Sequence, residues 1–413
     1  MRRYSVSDTD LLAAGRELGA DSILIGSIQK WGDKIRVNVS LVKVVDGTTI
    51  WNGSFDERMT DIFAVQDSIT GKVLSSLSLK NSGRWQAGER EPRTENAKAY
   101  ESYLRGRLHY FRITPGDVDL SIGYFRQAIE ADPNYALAYA ALADAYRTQA
   151  IAAHEPAKNV CPEAKRLALR ALEIDPELAE GYIVLGWVEL FYEWDWKAAE
   201  NYLNRAIELA PYDSDAYRAR GHLYSILGRH DEAISDGRRA TELAPLTAIT
   251  RVLEAQYLYY AGQLEEALSV LREVEKTDSS FWATYATQGR IFTLRQEFDA
   301  AIEAFKKAEP LSGGSFEIPA QLGYVLGRAG RNTDARELIA EMEKSPAERI
   351  APRYFLALVY NGLGQKESAI EMLRRAFSER EAQMVFLKVD QRWDWLRQDP
   401  SFIEIERQMN LGG

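Results

Sequence analysis

Between Ile35 and Leu41 the chain alternates strictly. Ile35, Val37, Val39 and Leu41 are apolar, while Arg36, Asn38 and Ser40 are polar. A period of two predicts a strand with one buried face. SILIGSIQKWG (22–32) before it and TTIWNGSFDERM (48–59) after it predict two more strands. Gly32-Asp33 and Asp46-Gly47 supply the turns. DTDLLAAGRELG (8–19) predicts a helix ending at Gly19. In 61–79, Ile62, Val65, Ile69, Val73 and Leu77 recur on one helical face. The expected order up to residue 80 is α-β-β-β-α.

Beyond residue 95 the spacing changes in kind. Ala233, Ala267, Ala301, Ala335 and Ala369 stand 34 residues apart. Gly221, Ala255, Gly289, Gly323 and Ala357 form a second ladder of the same period. Gly228, Gly262, Gln296, Gly330 and Gly364 form a third. Three ladders in one register predict a stack of identical units. Each unit has an apolar helix such as AYRARGHLYSIL (216–227), then a residue suited to the left-handed conformation that closes a helix. Acidic residues such as Asp231 and Glu232 follow and favour the positive end of a second helix. Small residues allow close approach, and Tyr224, Leu258, Phe292, Leu326 and Tyr360 fill the space between helices. Pro133, Pro176, Pro211 and Pro245 end successive units. The third unit, with Ala199, Ala206 and Pro211, carries one extra residue between its helices. The second, with Ala164, Ala171 and Pro176, carries about nine around 153–161, and the first, with Phe125 and Ala128, is out of register in front. The spacing predicts eight units over 96–381.

Length and charge refine this division. The 413 residues carry a net charge of −10, yet residues 1–95 hold 13 basic and 13 acidic side chains. The whole excess therefore lies in the repeats. Asn81–Glu95, polar with two Gly and a Pro, reads as a linker. An acidic chain is a poor candidate for direct nucleic-acid binding. No apolar run approaches the ~18 residues of a membrane span, and the polar start predicts no signal peptide. The single cysteine, Cys161, excludes an internal disulfide and a multi-cysteine zinc site.

No nucleotide-binding glycine loop, nucleophile elbow, HExxH or EF-hand pattern is present. His222 and His230 read as surface or groove residues rather than a metal pair, and Cys161 lacks a histidine partner in sequence. The tryptophan-rich pieces 194–196 and 393–396 read as gap-fillers or caps, with stacking on a sugar or base as the alternative. The expectation is no enzyme activity, no cofactor and no metal.

The 34-residue unit (small residue, large residue three on, Ala twelve on, Pro at the end) resembles the tetratricopeptide repeat. The stretch from Ala14 to Ile69 resembles the small domain akin to the amino-terminal domain of the periplasmic protein TolB. In multidomain bacterial regulators that domain precedes such repeats. AYESYLRGRLHYF, IEADPNYALAYAALADAY and the tail LKVDQRWDWLRQDPSF resemble the same family. The resemblance implies a mainly α fold: a right-handed tetratricopeptide α-solenoid preceded by a small α/β domain. The expected division is 1–80 small domain, 81–95 linker, 96–381 array and 382–413 a capping segment with Trp393, Trp395, Leu396 and Phe402. The family's usual effector (a winged-helix domain, a kinase or a cyclase) and the small domain's first strand and helix do not appear, which implies a fragment or a gene that lost its front end. The resulting three-stranded sheet exposes an edge and suggests a homo-oligomer formed through this domain.

In tetratricopeptide arrays the first helices line the concave face. On this chain that pattern nominates Trp187, Arg218, His222, Gln256, Tyr259, Tyr260, Arg290, Tyr324, Arg328, Tyr354 and Asn361. The expected ligand is a protein or peptide partner, extended or acidic, held by arginines and tyrosines. The expected role is a protein-interaction scaffold, the regulatory or sensor part of a bacterial signalling or transcription-control system. The alternatives are a transcriptional regulator acting through a DNA-binding domain or partner absent from this chain, and an enzyme with an unrecognised site. The expected location is the cytoplasm, with the periplasmic part of an anchored protein as the alternative.

Overall fold

The computed structural model describes residues 8–17, 19–31, 34–58, 94–110, 114–152, 155–245, 247–344 and 351–411. The chain divides into two compact units, Met1–Glu101 and Ser102–Gly413. The division falls inside the helix Ala97–Tyr110 rather than at the expected linker. The expected second helix of the small domain (61–79), the Gly32-Asp33 turn and most of the linker lie outside the described residues.

In the first unit α1 (Asp8–Glu17) precedes β1 (Ser22–Trp31), β2 (Lys34–Lys43) and β3 (Thr49–Arg58). The strands form an antiparallel sheet in the order β1-β2-β3. The alternation in β2 has its expected outcome: Ile35, Val37, Val39 and Leu41 are buried. Val37 pairs with Phe55 and Leu41 with Trp51 across the ladder. On the opposite, polar face Arg36 grips Asp56 with two bonds of 2.5 and 2.6 Å. Gly47 takes φ +71° in the β2–β3 turn, where Asp46 accepts the Thr48 amide at 2.9 Å.

The second unit is a run of paired helices. Among the described residues eight pairs follow one another: Ala97–Tyr110 with Pro115–Ala131, Ala136–Ile151 with Ala157–Ile174, Ala179–Val188 with Trp196–Leu209, Ser214–Leu227 with His230–Leu243, Ala248–Tyr260 with Leu264–Thr277, Trp282–Leu294 with Phe298–Ala308, Glu317–Arg328 with Asn332–Glu343, and Arg353–Gly362 with Lys366–Ser378. We number them repeats one to eight. The ladders have direct structural counterparts. Ala233, Ala267, Ala301, Ala335 and Ala369 are fully buried. At Gly289 a Cβ would lie 2.6 Å from the Phe305 ring, so a side chain there would displace the packing partner. The turn ladder is left-handed throughout: φ is +79°, +77°, +60°, +77° and +70° at Gly228, Gly262, Gln296, Gly330 and Gly364. The extra residue of repeat three is absorbed as a π-helical turn, Glu189–Glu193, closed by Trp194 at φ +60°.

After repeat eight come two 3-10 turns, Ala382–Phe386 and Gln391–Leu396, and a last helix, Pro400–Gln408. The sequence places this segment as a cap on the final repeat. In the structure it also returns to the early repeats. Beside it, Trp194 stacks on Phe377 of repeat eight at 5.3 Å. The Arg380 guanidinium lies 4.8 Å from the Trp194 ring and donates to the Tyr192 carbonyl at 2.6 Å. Gln383 donates to the Ile151 carbonyl at 3.2 Å, and the Trp196 indole donates to the carbonyls of Met409 and Asn410 at 3.1 Å. Repeats two and three are therefore tied to the end of the chain.

Candidate interaction groove

The eleven residues nominated from sequence have four fates. Five meet the C-terminal segment. His222 packs at 5.4 Å against Phe386, which also stacks on Tyr260 at 5.6 Å and 11°. The Arg392 guanidinium lies over Tyr324 at 5.6 Å. Trp393 packs on Tyr354 at 5.8 Å and donates its indole N–H to the Tyr354 hydroxyl at 3.3 Å. Asn361 donates to the Arg392 carbonyl at 2.9 Å and accepts from the Trp395 indole. The expectation of an open groove along the later repeats is thus corrected: the chain's own tail covers it. The physical reason is the tail's composition. Trp393, Leu387 and Leu396 are fully buried there, and removing that much apolar surface from water favours the covered state.

Three more are held by the array itself. Gln256 donates to Thr287 Oγ1 at 3.3 Å, Arg290 is ion-paired to Glu317 of the next repeat, and Tyr259 stands edge-on to Tyr260 at 5.0 Å. Arg328 is exposed. Trp187 and Arg218 belong to a different environment, described below.

At the centre of the covered stretch sits a buried ion pair. Asp390 and Arg392 are 0% and 3% exposed in their side chains, and their nearest N–O distance is 2.5 Å. Arg392 also donates to Gln321 Oε1. Burial alone would raise the Asp390 carboxyl, but the adjacent Arg392 charge and hydrogen bonds hold it below the ordinary range. Glu381 accepts the backbone N–H groups of Arg353 and Tyr354 at 2.7 and 2.8 Å, closing the front of repeat eight. Its burial pushes the carboxyl up to about 7.

Toward the early repeats the inner face is polar and aromatic. Trp187 stacks on Phe191 at 5.3 Å and 11°. The guanidiniums of Arg147 and Arg218 approach its ring at 5.3 and 5.8 Å. Arg147 binds Asp144 at 2.6 Å and Tyr110 at 3.2 Å, and the Tyr110 hydroxyl donates to Asp144 at 2.5 Å. Arg218 meets Asp215 at 3.1 Å. His222 is boxed by Trp187, Phe191, Tyr257 and Phe386, and burial pushes it down to about 3, with the Arg218 charge acting in the same direction. The sequence reading missed Tyr110, Asp144 and Arg147 because the first two units fall outside the 34-residue register. Their signal is position on the first helices of those units.

Other chemistry is sparse. Among the described residues no three His, Cys, Asp or Glu side chains converge as metal ligands, and no helix is long and apolar enough to cross a membrane. Cys161 is buried and its thiol is pushed up to about 12, the opposite of an activated nucleophile. Trp194 and Trp393 are buried in packing contacts rather than presented for stacking.

Family models described as tetratricopeptide repeat match residues 202–235, 252–316 and 352–383. These three stretches of the array are tetratricopeptide repeats. Repeats of this kind serve as protein-interaction scaffolds. Among curated proteins the chain is 29% identical over 187 residues to the putative adenylate cyclase 3 of Rhizobium meliloti (strain 1021), covering 44% of this chain and 31% of that protein. It is 23% identical over 166 residues to the transcriptional regulator HilA of Salmonella typhimurium, covering 40% and 30%. The chain therefore spans about a third of the length of these relatives. Among solved structures, yeast Tom70 aligns with TM-score 0.48 at 17% identity, covering 84% of this chain and 77% of that one.

Proposed function

We propose that this chain is the regulatory or sensor scaffold of a bacterial signalling or transcription-control system and acts by docking a partner protein without catalysis of its own. Support comes from the array and from the names of its relatives, a putative adenylate cyclase and a transcriptional regulator. The resemblance of the first unit to the TolB amino-terminal domain points the same way. The observation that carries the reading is the inner face of repeats one to four. There Tyr110, Arg147, Trp187 and Arg218 converge from four successive first helices, an arrangement suited to anchoring a peptide. The proposed site of action is the cytoplasm, with the periplasmic part of an anchored protein as the alternative.

The test is affinity capture from a bacterial host with the full chain, comparing wild type with Arg218→Glu. Recovery of a specific partner by wild type supports the reading, its loss in the variant supports docking on the inner face, and recovery of no specific partner contradicts it. If the captured partner is a DNA-binding protein, the role is transcriptional. The first unit supports a second proposal, pairing with another copy through β1. That edge strand exposes Leu24 and Ile28. Sedimentation of wild type against Ile28→Lys tests it, and a monomer in both cases contradicts it.

A further inference from the structure

One corner of the inner face holds two neighbouring side chains whose buried polar atoms lack a partner. Arg218 and His222 stand four residues apart on the first helix of repeat four, so they share a face. Both touch Trp187. The Nε of Arg218 and both ring nitrogens of His222 are buried without a hydrogen-bond partner, and His222 is only 6% exposed. Buried polar groups are nearly always satisfied, because an unpaired one has lost its water without gaining a partner. Three such atoms side by side therefore point to a function.

We propose that this corner receives a glutamate or aspartate carboxylate from an acidic segment of a partner protein, with Arg218 and His222 as its two donors. The inference rests on the scaffold reading and specifies the partner's chemistry. Charge favours an anion: three guanidiniums, those of Arg107, Arg147 and Arg218, interact with the same two carboxylates, Asp144 and Asp215. Arg147 is already satisfied by Asp144, Tyr110 and Thr148. Arg218 is different. Its carboxylate partner Asp215 is 58% exposed and 3.1 Å away, a solvent-screened pair that an incoming carboxylate can replace. His222 is neutral, so it offers one N–H without adding a second positive charge beside Arg218. Its walls are Trp187, Phe191, Tyr257 and Phe386. Apolar walls weaken dielectric screening and strengthen a charge-assisted bond formed between them. A peptide fits better than a small free anion because the polar face continues from this corner to Arg147 and Tyr110 on repeats two and one.

The test uses the full chain and a fluorescein-labelled, glutamate-rich peptide, with its glutamine counterpart as control, read by anisotropy. Wild type is expected to bind the glutamate peptide at least about tenfold more tightly than the control, the factor that corresponds to one charge-assisted contact. Arg218→Gln is expected to erase that preference. His222→Phe, which keeps a ring in the aromatic box, is expected to weaken glutamate-peptide binding several-fold. Asp215→Asn, which removes the competing carboxylate, is expected to tighten it. Equal binding of the two peptides by wild type, or an unchanged preference in a folded Arg218→Gln protein, overturns the inference. If Arg218→Gln fails to fold, the absence of tightening in Asp215→Asn overturns it instead. The scaffold reading fails separately. A specific partner captured equally by wild type and Arg218→Gln leaves the scaffold and removes the corner. Glutamate-selective binding without any protein partner leaves the corner and removes the scaffold.

Discussion

Replacing Arg392 by methionine removes the charge that makes the tail's buried polar centre tolerable. Asp390 is fully buried and its carboxylate bonds Arg392 at 2.5, 2.9 and 3.0 Å. In Arg392→Met that carboxylate keeps the residue-392 backbone N–H at 3.0 Å but loses its counter-charge. Gln321 Oε1, itself buried, loses its donor as well. Breaking a buried pair from one side costs about 3–5 kcal/mol, because the remaining ion cannot be resolvated. That is a large part of the ~5–15 kcal/mol that holds a typical domain folded. Removing both charges together, in Asp390→Asn with Arg392→Met, is expected to recover most of the loss. Arg331→Met, which breaks an exposed pair with Asp334, is expected to cost about 1 kcal/mol or less. Repeat arrays unfold with local coupling, so the readout is hydrogen exchange of residues 353–362 and 382–396, with 214–227 as reference. The pair also sets an acid response. Asp390 has a lowered carboxyl in the folded chain, so its contribution is present above the unfolded value of ~4 and is lost as pH falls through the folded one. Arg392→Met abolishes that response. A loss in Arg392→Met no larger than in Arg331→Met refutes the reasoning.

Other outcomes follow from single positions. Gly362→Ala places a Cβ against the Tyr324 carbonyl oxygen and 2.7 Å from its Cα, both backbone atoms, so repeats seven and eight must separate. A destabilisation of more than about 1–3 kcal/mol by urea unfolding is expected. Gln296→Gly relieves a non-glycine residue at φ +60° and is expected to stabilise repeat six by about 1 kcal/mol, read as a rise in melting temperature. Glu381 has a folded carboxyl value of about 7, above its unfolded ~4.3, so stability falls as pH rises between these values and levels off above them. Glu381→Gln is expected to flatten that part of the stability profile, measured by thermal melts at stepped pH.

The parts of the fold that were legible in the sequence are those fixed by local geometry. Helices of one repeat approach closely only where side chains are small, so Ala233, Ala267 and Ala301 had to recur at a fixed interval. A chain reversal after each first helix needs a left-handed residue, which is why Gln296 could be placed in a glycine ladder before its φ was known. The alternation of β2 was readable for the same reason: one strand meets one apolar face. The inner face was only partly legible. The periodic pattern singled out first-helix positions, and of these Trp187, Arg218 and His222 share one corner. It could not show that Phe386, Arg392 and Trp393 lie over Tyr260, Tyr324 and Tyr354. Those contacts join the array to an aperiodic segment, and the tie from Trp196 to Asn410 spans 214 residues. Nor could it show that Arg290 is already paired with Glu317 of the following repeat.

The claim on which the rest depends is that residues 382–396 lie along the inner face of the array. It can be tested by replacing Phe386 with the photoreactive aromatic p-benzoylphenylalanine in the full chain, irradiating, and mapping crosslinks by mass spectrometry. Phe386 lies 5.4 Å from His222 and 5.6 Å from Tyr260. The account predicts intramolecular crosslinks to the first helices of repeats four and five, Ser214–Leu227 and Ala248–Tyr260. Crosslinks confined to repeat eight or to a second molecule would contradict it.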